Sequence, residues 1–221
     1  MRIFSLPELG CHAMIYSRFL GAGILLASTA ISSLAFAGDT WTGFYLGAMG
    51  GYTSLDATTT DTRGYLPSDP TLDGVLLGIQ SGYNMQMDNI VLGLESNTAI
   101  STANGAGFWR PPASDAFKLE MNYLSTVRGR AGMAFGENDN TLLFVAGGLA
   151  MANFDRTQNG AKSSRTHLGW VIGGGVEHML TDRISIKAEA DYIALGKKQY
   201  STGEFVKFDG IIVGLGVDFH L

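Results

Sequence analysis

Gly210-Ile211-Ile212-Val213-Gly214-Leu215-Gly216-Val217-Asp218-Phe219-His220-Leu221 closes the chain, and its alternation decides the fold class. Ile211, Val213, Leu215, Val217, Phe219 and Leu221 fall on one face of a period-two strand. Ile212, Gly214, Gly216, Asp218 and His220 fall on the other. Upstream, Ile184, Ile186, Ala188, Ala190, Tyr192 and Ala194 oppose Ser185, Lys187, Glu189 and Asp191. Val75, Leu77, Ile79, Tyr83, Met85 and Met87 oppose Gly78, Gln80, Gly82, Asn84 and Gln86. Leu119, Met121, Tyr123, Val127, Ala131, Met133 and Phe135 are expected opposite Glu120, Asn122, Thr126, Arg128 and Arg130. Eight such segments are predicted, at roughly Trp41–Asp56, Asp73–Met87, Ile90–Ser101, Phe117–Phe135, Thr141–Phe154, Ser164–Leu180, Ile184–Leu195 and Val206–Leu221. The fifth, Thr141–Phe154, is apolar on both faces and its register stays open.

The links between segments alternate in length. Those at Asp88-Asn89, Gly136–Asn140 and Thr181–Arg183 are short, whereas those at Ala57–Leu72, Thr102–Ala116, Asp155–Ser163 and Gly196–Phe205 are long. Pro67, Pro70, Pro111 and Pro112 all sit in the first two long links, where no strand ladder needs their missing N–H. Short turns at one end and long loops at the other describe an all-β, eight-stranded antiparallel up-and-down transmembrane β-barrel. A soluble barrel also alternates, but with its apolar face inward and a charged face toward water. Here the polar face is thin, glycine-rich and lightly charged, which suits the narrow inside of eight strands. Phe44, Tyr52, Tyr83, Tyr123, Phe135, Tyr192 and Phe219 fall near strand ends, as aromatic girdles do.

Composition agrees. Of 221 residues, 16% are charged, below the ~25% of ordinary soluble chains. The net charge of -5 argues against nucleic acid as a partner. Cys11 is the single cysteine, which excludes a disulfide framework and a cysteine-built zinc site. Arg18 precedes the uncharged run Phe19–Ala37, which ends in Ala35-Phe36-Ala37 before Gly38-Asp39. A basic residue, an apolar stretch and a small-x-small site make a secretory signal peptide over 1–37, cleaved between Ala37 and Gly38, with a barrel domain over 38–221.

The charges on the inward faces are Glu95, Glu120, Arg128, Arg130, Glu177, Lys187, Glu189, Asp191 and Asp218, with His220 beside them. Both signs are present, and buried charges need partners. The reading preferred is a structural lumen charge network, because eight strands leave room for side chains only. A narrow, gated ion path is the alternative. Ser164 and His167 lie close in sequence, but an offset of three puts them on opposite faces of a strand, so no catalytic pair is assigned. His178 falls on the outward face near the short-turn end. No spaced His/Asp/Glu cluster suggests a metal, and no cofactor is expected. The long loops carry Arg63, Tyr65, Trp109, Arg110, Arg156, Lys162, Lys197, Lys198 and Tyr200, a mixture able to meet lipopolysaccharide phosphates, haem or a host surface ligand.

Asp39-Thr40-Trp41-Thr42-Gly43-Phe44-Tyr45-Leu46-Gly47-Ala48-Met49-Gly50-Gly51-Tyr52 resembles the opening strand of the small porin-like outer-membrane immunogenic proteins of Gram-negative bacteria. Gly78-Ile79-Gln80-Ser81-Gly82-Tyr83-Asn84, Gly93-Leu94-Glu95 and the alternating last strand fit the same family. The resemblance implies an eight-stranded barrel related to the membrane domain of outer membrane protein A, seated in the outer membrane. It also implies that the C-terminal strand is read by the outer-membrane assembly machinery. Such barrels commonly end in an aromatic residue, whereas here Phe219 stands two residues before the end. Some relatives are described as haem binders; His167 is the one histidine near the long loops of this chain. The function expected is that of a structural, surface-exposed, non-enzymatic barrel supporting envelope integrity. The alternatives are a porin-like channel and loop-mediated binding of haem or a host ligand.

Overall fold

A computed structural model describes residues 39–62, 68–108, 116–201 and 203–221. The expected signal peptide with its Ala37–Gly38 cleavage site, and the loop residues Arg63, Tyr65, Trp109 and Arg110, lie outside the described residues. Among the described residues nine strands follow one another: β1 (Gly43–Asp61), β2 (Thr71–Met87), β3 (Ile90–Ser101), β4 (Asn104–Phe108), β5 (Ala116–Phe135), β6 (Thr141–Gln158), β7 (Ala161–Thr181), β8 (Ile184–Ser201) and β9 (Glu204–His220). All pairings are antiparallel, and β1 pairs with both β2 and β9, so the sheet closes on itself. β3 and β4 are two pieces of one stave between β2 and β5. The ring therefore has the eight staves that the periodicity predicts.

The outward face carries an apolar belt. Phe44, Leu46 and Tyr52 on β1, Leu149 and Val145 on β6, and Ile211, Val213, Leu215, Val217 and Phe219 on β9 are all exposed. Leu149 and Leu215 are 73% and 69% exposed, values no soluble barrel would give to mid-strand leucines. Hydrocarbon is the solvent for this surface. Phe44 packs on Tyr83 at a centroid distance of 4.7 Å, and Trp170 on Tyr192 at 5.7 Å. The open register of the fifth segment resolves with Leu143, Val145, Leu149 and Met151 outward, and Leu142, Phe144, Ala146 and Ala150 inward.

Toward the long-loop end the barrel turns inside out. Beyond Tyr52 the outward residues of β1 become Ser54, Asp56, Thr58 and Thr60, while Leu55 and Ala57 point in. β5, β6 and β9 do likewise, with Phe117, Leu119, Phe154, Val206 and Phe208 buried inside. Phe154 and Phe208 stack at 3.8 Å. This is the patterning of a soluble barrel, so the section stands in water outside the membrane.

The inversion corrects three expectations. The fourth segment does not keep one parity: a bulge between Met121 and Tyr123 flips the faces, so Leu119 and Met121 are buried and Glu120 turns out. The links at Asp155–Ser163 and Gly196–Phe205 are not long loops but continuations of strands. The first closes in a tight hairpin turn at Asn159-Gly160, whose φ values of 50° and 78° suit the right-handed strand twist. Finally, the Thr102–Ala116 link contains a strand, β4.

Candidate functional site

Between the two apolar ends lies the polar storey of the lumen. Glu95 is its hub. Its neighbour across the β3–β5 ladder is Arg128, whose Nε and Nη2 donate to Glu95 Oε1 at 2.9 and 2.6 Å. Lys187 donates to Glu95 Oε2 at 2.8 Å from the far side of the barrel, as does the Tyr45 hydroxyl at 2.7 Å. Arg128 also reaches Asp191 at 2.7 Å and Glu189. Arg130 donates to Glu177 at 2.6 Å and lies over the Phe144 ring at 4.3 Å. Ser185 donates to Glu177 at 2.6 Å, and His220 Nε2 stands 3.5 Å from the same carboxylate. Gln80 holds both oxygens of Asp218, at 2.7 and 2.8 Å.

The structure thus brings together Glu95, Arg128, Arg130, Glu177, Lys187, Glu189, Asp191, Asp218 and His220. Glu120 is the exception. The β5 bulge points it outward, where it pairs at 2.8 Å with Lys118 on the surface. Sequence reasoning missed Tyr45 and Gln80, both deep in the network. Their signal is positional, since each occupies a lumen-facing register. Glycines make the room: a Cβ at Gly47 would collide with the Asp218 carboxylate, and one at Gly82 with the Tyr45 hydroxyl.

Trp41 closes the short-turn end. It is fully buried and donates its indole N–H to Asp139 O at 2.7 Å. Val91, Leu142, Phe144 and Met179 pack around it. At the other end the apolar interior of the inverted section covers the network.

These features are those of a known architecture. Residues 23–219 match the outer membrane protein β-barrel domain family. The chain belongs to this family. It is 30% identical, over 81% of its length and 80% of the relative's, to the 31 kDa outer-membrane immunogenic protein of Brucella melitensis. It is 29% identical, over 81% of its length and 78% of the relative's, to the 22 kDa outer membrane protein of Rhizobium leguminosarum. Its fold is similar to that of outer membrane protein OprG from Pseudomonas aeruginosa, at a TM-score of 0.53 and 17% identity over 81% of this chain and 97% of that one. Like its relatives, the protein resides in the outer membrane of a Gram-negative bacterium.

Within this family barrel the remaining candidates fall into place. His167 is fully buried in the inverted section. Its Nδ1 stands 2.7 Å from Gly196 O and its Nε2 3.1 Å from the Tyr200 hydroxyl, so neither nitrogen is free for haem. Burial lowers its pKa to about 4, only partly opposed by the Gly196 carbonyl. Burial likewise raises the Tyr200 phenol. Ser164 donates to Asn153 on the outside and is separated from His167 by the wall of the barrel. His178 lies on the outward face beside Thr141, at 2.9 Å. Lys162 pairs with Asp155 at 2.7 Å and Lys207 with Asp209 at 2.9 Å, so these outward cations are neutralised by their own strands or neighbours. Among the described residues no three His, Cys, Asp or Glu side chains gather as a metal centre.

Proposed function

We propose that this protein is a structural, non-enzymatic barrel that supports envelope integrity and presents its long-loop end to the exterior. One observation carries the reading: the lumen is filled. Oppositely charged side chains cross it at hydrogen-bond distance, and apolar side chains close it above and below. An interior so packed transmits rigidity and leaves little for solutes to pass through. In this reading the partners are outer-membrane lipid and lipopolysaccharide against the belt. The assembly machinery engages the C-terminal strand, and a host surface ligand is met by the loops. Nucleic acid has no part.

Deletion of the gene should sensitise cells to detergents and large antibiotics, with recovery on expression of the wild-type chain. The purified barrel in planar bilayers should give no discrete conductance steps. Intact envelope resistance in the deletion strain, or steady conductance from the pure protein, would replace this reading with the channel.

A further inference from the structure

We propose that two copies of this protein pair in the membrane through the outward face of β2, β3 and β5, as a closed two-fold dimer joined by Ser81, Ser96, Thr98 and Ser125. Ser81 is the direct ladder neighbour of Ser96, and Thr98 that of Ser125, with Thr98 Oγ1 3.1 Å from Ser125 Oγ. Ser96 and Thr98 stand two residues apart on β3 and share its outward, exposed face. The four hydroxyls therefore form one contiguous patch across three neighbouring strands.

The patch lies inside the apolar belt. Leu77, Ile79, Leu94, Ile100 and Val127 around it are exposed to lipid. On β2, Ser81 stands midway between Val75 and Met87, the outward ends of that strand's belt segment. On the other five staves the belt runs from Phe44 to Tyr52, Leu143 to Met151, Leu168 to Val176, Ile184 to Tyr192 and Ile211 to Phe219. The outward residues of those segments include no serine, threonine, amide or charge. Every small hydroxyl of the belt is thus gathered on one side of the barrel.

Hydrocarbon offers a hydroxyl neither donor nor acceptor, and the ladders already engage the backbone groups of these strands. Ser81 and Ser96 make no side-chain hydrogen bond among the described residues. The Thr98–Ser125 contact uses one hydroxyl hydrogen and leaves the other free. Each hydroxyl both donates and accepts, so the complement of this patch is another like it. Copies of one chain insert in the same direction. A two-fold axis along the membrane normal therefore sets the two patches face to face at equal depth. β8 lies diametrically across the ring from β3 and presents Ile186, Ala188 and Ala190. A head-to-tail contact would lay the hydroxyls against that apolar face, so a closed pair satisfies them and an open row does not. Gly129, outward on β5 and diagonal to Ser96, leaves open space where a Cβ would stand. Facing strands can approach closely there, as association within a bilayer requires. The contact does not depend on the role of the filled lumen.

The test places single thiols on opposite faces of the barrel, Gly129→Cys on β5 and Ala190→Cys on β8, and oxidises them in native outer membranes. Gly129→Cys should be trapped as a disulfide-linked dimer and Ala190→Cys should stay a monomer. Energy transfer between wild-type barrels labelled through Asn159→Cys, in lipid vesicles, should exceed the level set by random encounter. Ser96→Val with Thr98→Val should lose this excess. Valine suits a lipid-facing strand, so the double variant should keep its heat-modifiable migration and its urea midpoint. Ser96→Ala, which removes a single oxygen, should weaken the transfer in the same direction. Equal cross-linking at the two cysteines, whether strong or absent, would overturn the proposal, as would transfer unchanged in both hydroxyl variants. Cross-linking of Gly129→Cys to a different protein, with none between copies, would give the face to that partner and overturn it too.

Discussion

Arg128 and Glu95 are direct cross-strand neighbours, and the guanidinium meets the same carboxylate oxygen through two nitrogens, at 2.6 and 2.9 Å. Both side chains are about 1% exposed. Such a pair stabilises little against an apolar replacement of both partners, but removing one partner strands the other. Arg128 is shared with Glu189 and Asp191, so its loss would take a cation from three buried carboxylates at once, although Glu95 and Glu189 would keep Lys187. Arg128→Met should therefore destabilise the barrel by about 3–5 kcal/mol. Urea unfolding of the refolded protein, followed by its heat-modifiable gel migration, measures this. Adding Glu189→Gln to the variant should recover part of the loss. A wild-type midpoint for Arg128→Met would mean that the network is solvated rather than buried.

His167 predicts a pH dependence of known sign. Its folded pKa is lowered to about 4, below the ordinary histidine value of 6.5, because burial disfavours the imidazolium. Above pH 6.5 the ring is neutral in both states and the barrel keeps its full stability. As pH falls from 6.5 toward 4 the unfolded chain takes up the proton first, and stability is lost, by up to about 3 kcal/mol at one 1.36 kcal/mol step per pKa unit. The lumen carboxylates also respond to acid, so the measured quantity is the difference between wild type and His167→Gln. That difference should shrink between pH 6.5 and pH 4. A constant difference across this range would show that the ring is not held neutral by burial.

The two ends of the barrel should be distinguishable in intact cells. Tight hairpin turns lie at both ends, so loop length no longer orients the molecule by itself. The inverted section does: its water-facing outside and apolar inside extend the strands well past the belt at the Asn159-Gly160 end. The 3-10 turn Glu137–Asp139 closes the opposite end, close under the belt. Outside the expected signal peptide the chain has no cysteine, so single thiols report cleanly. Asn159→Cys should react with a membrane-impermeant maleimide on intact cells, and Asn138→Cys only after the outer membrane is breached. The reverse labelling would invert the topology.

Much of the barrel is legible in the amino-acid sequence. Period two locates every stave, and the apolar face of β9 reads as lipid-facing residue by residue from Ile211 to Leu221, all of which are exposed on that face. Lumen charges such as Glu95 and Asp191 are legible as a set, because each sits on the polar face of an otherwise apolar strand. Their partners are not, since Lys187 reaches Glu95 from across the barrel and no spacing in sequence encodes that distance. The inversion is hidden for a different reason. Where outward residues are Thr, Asp and Lys and inward ones Leu and Phe, alternation persists with its faces exchanged, and it reads as a polar loop. The β5 bulge compounds this, because one extra residue sends Glu120 outside while its neighbours on either side point in. The Asn159-Gly160 pair is the available signal that the β6–β7 link is a hairpin.

The sharpest test of the lipid face compares two neighbours on β9. Leu215 stands mid-strand in the belt, between Gly50 of β1 and Ala188 of β8, and its side chain is exposed. Arg at this position would sit in hydrocarbon, at a cost of roughly 2–4 kcal/mol near the midplane. The control must face the lumen without disturbing the network. Gly216 does not qualify, because a Cβ there would come 2.6 Å from the Gln80 Nε2 that holds Asp218. Gly214 does: the nearest atoms to an added Cβ are Gly50 O at 3.5 Å and Glu189 Cγ at 3.9 Å, ordinary contacts. Leu215→Arg should therefore lower refolding into lipid vesicles and reduce the urea midpoint, while Gly214→Ser stays near wild type and Gly216→Ser falls between them. Thinner bilayers bring the midplane closer to the headgroups, so the Leu215→Arg penalty should lessen in short-chain lipid, whereas the Gly216→Ser penalty, arising inside the barrel, should not change. Equal behaviour of Leu215→Arg in thick and thin bilayers would mean that Leu215 does not face the lipid.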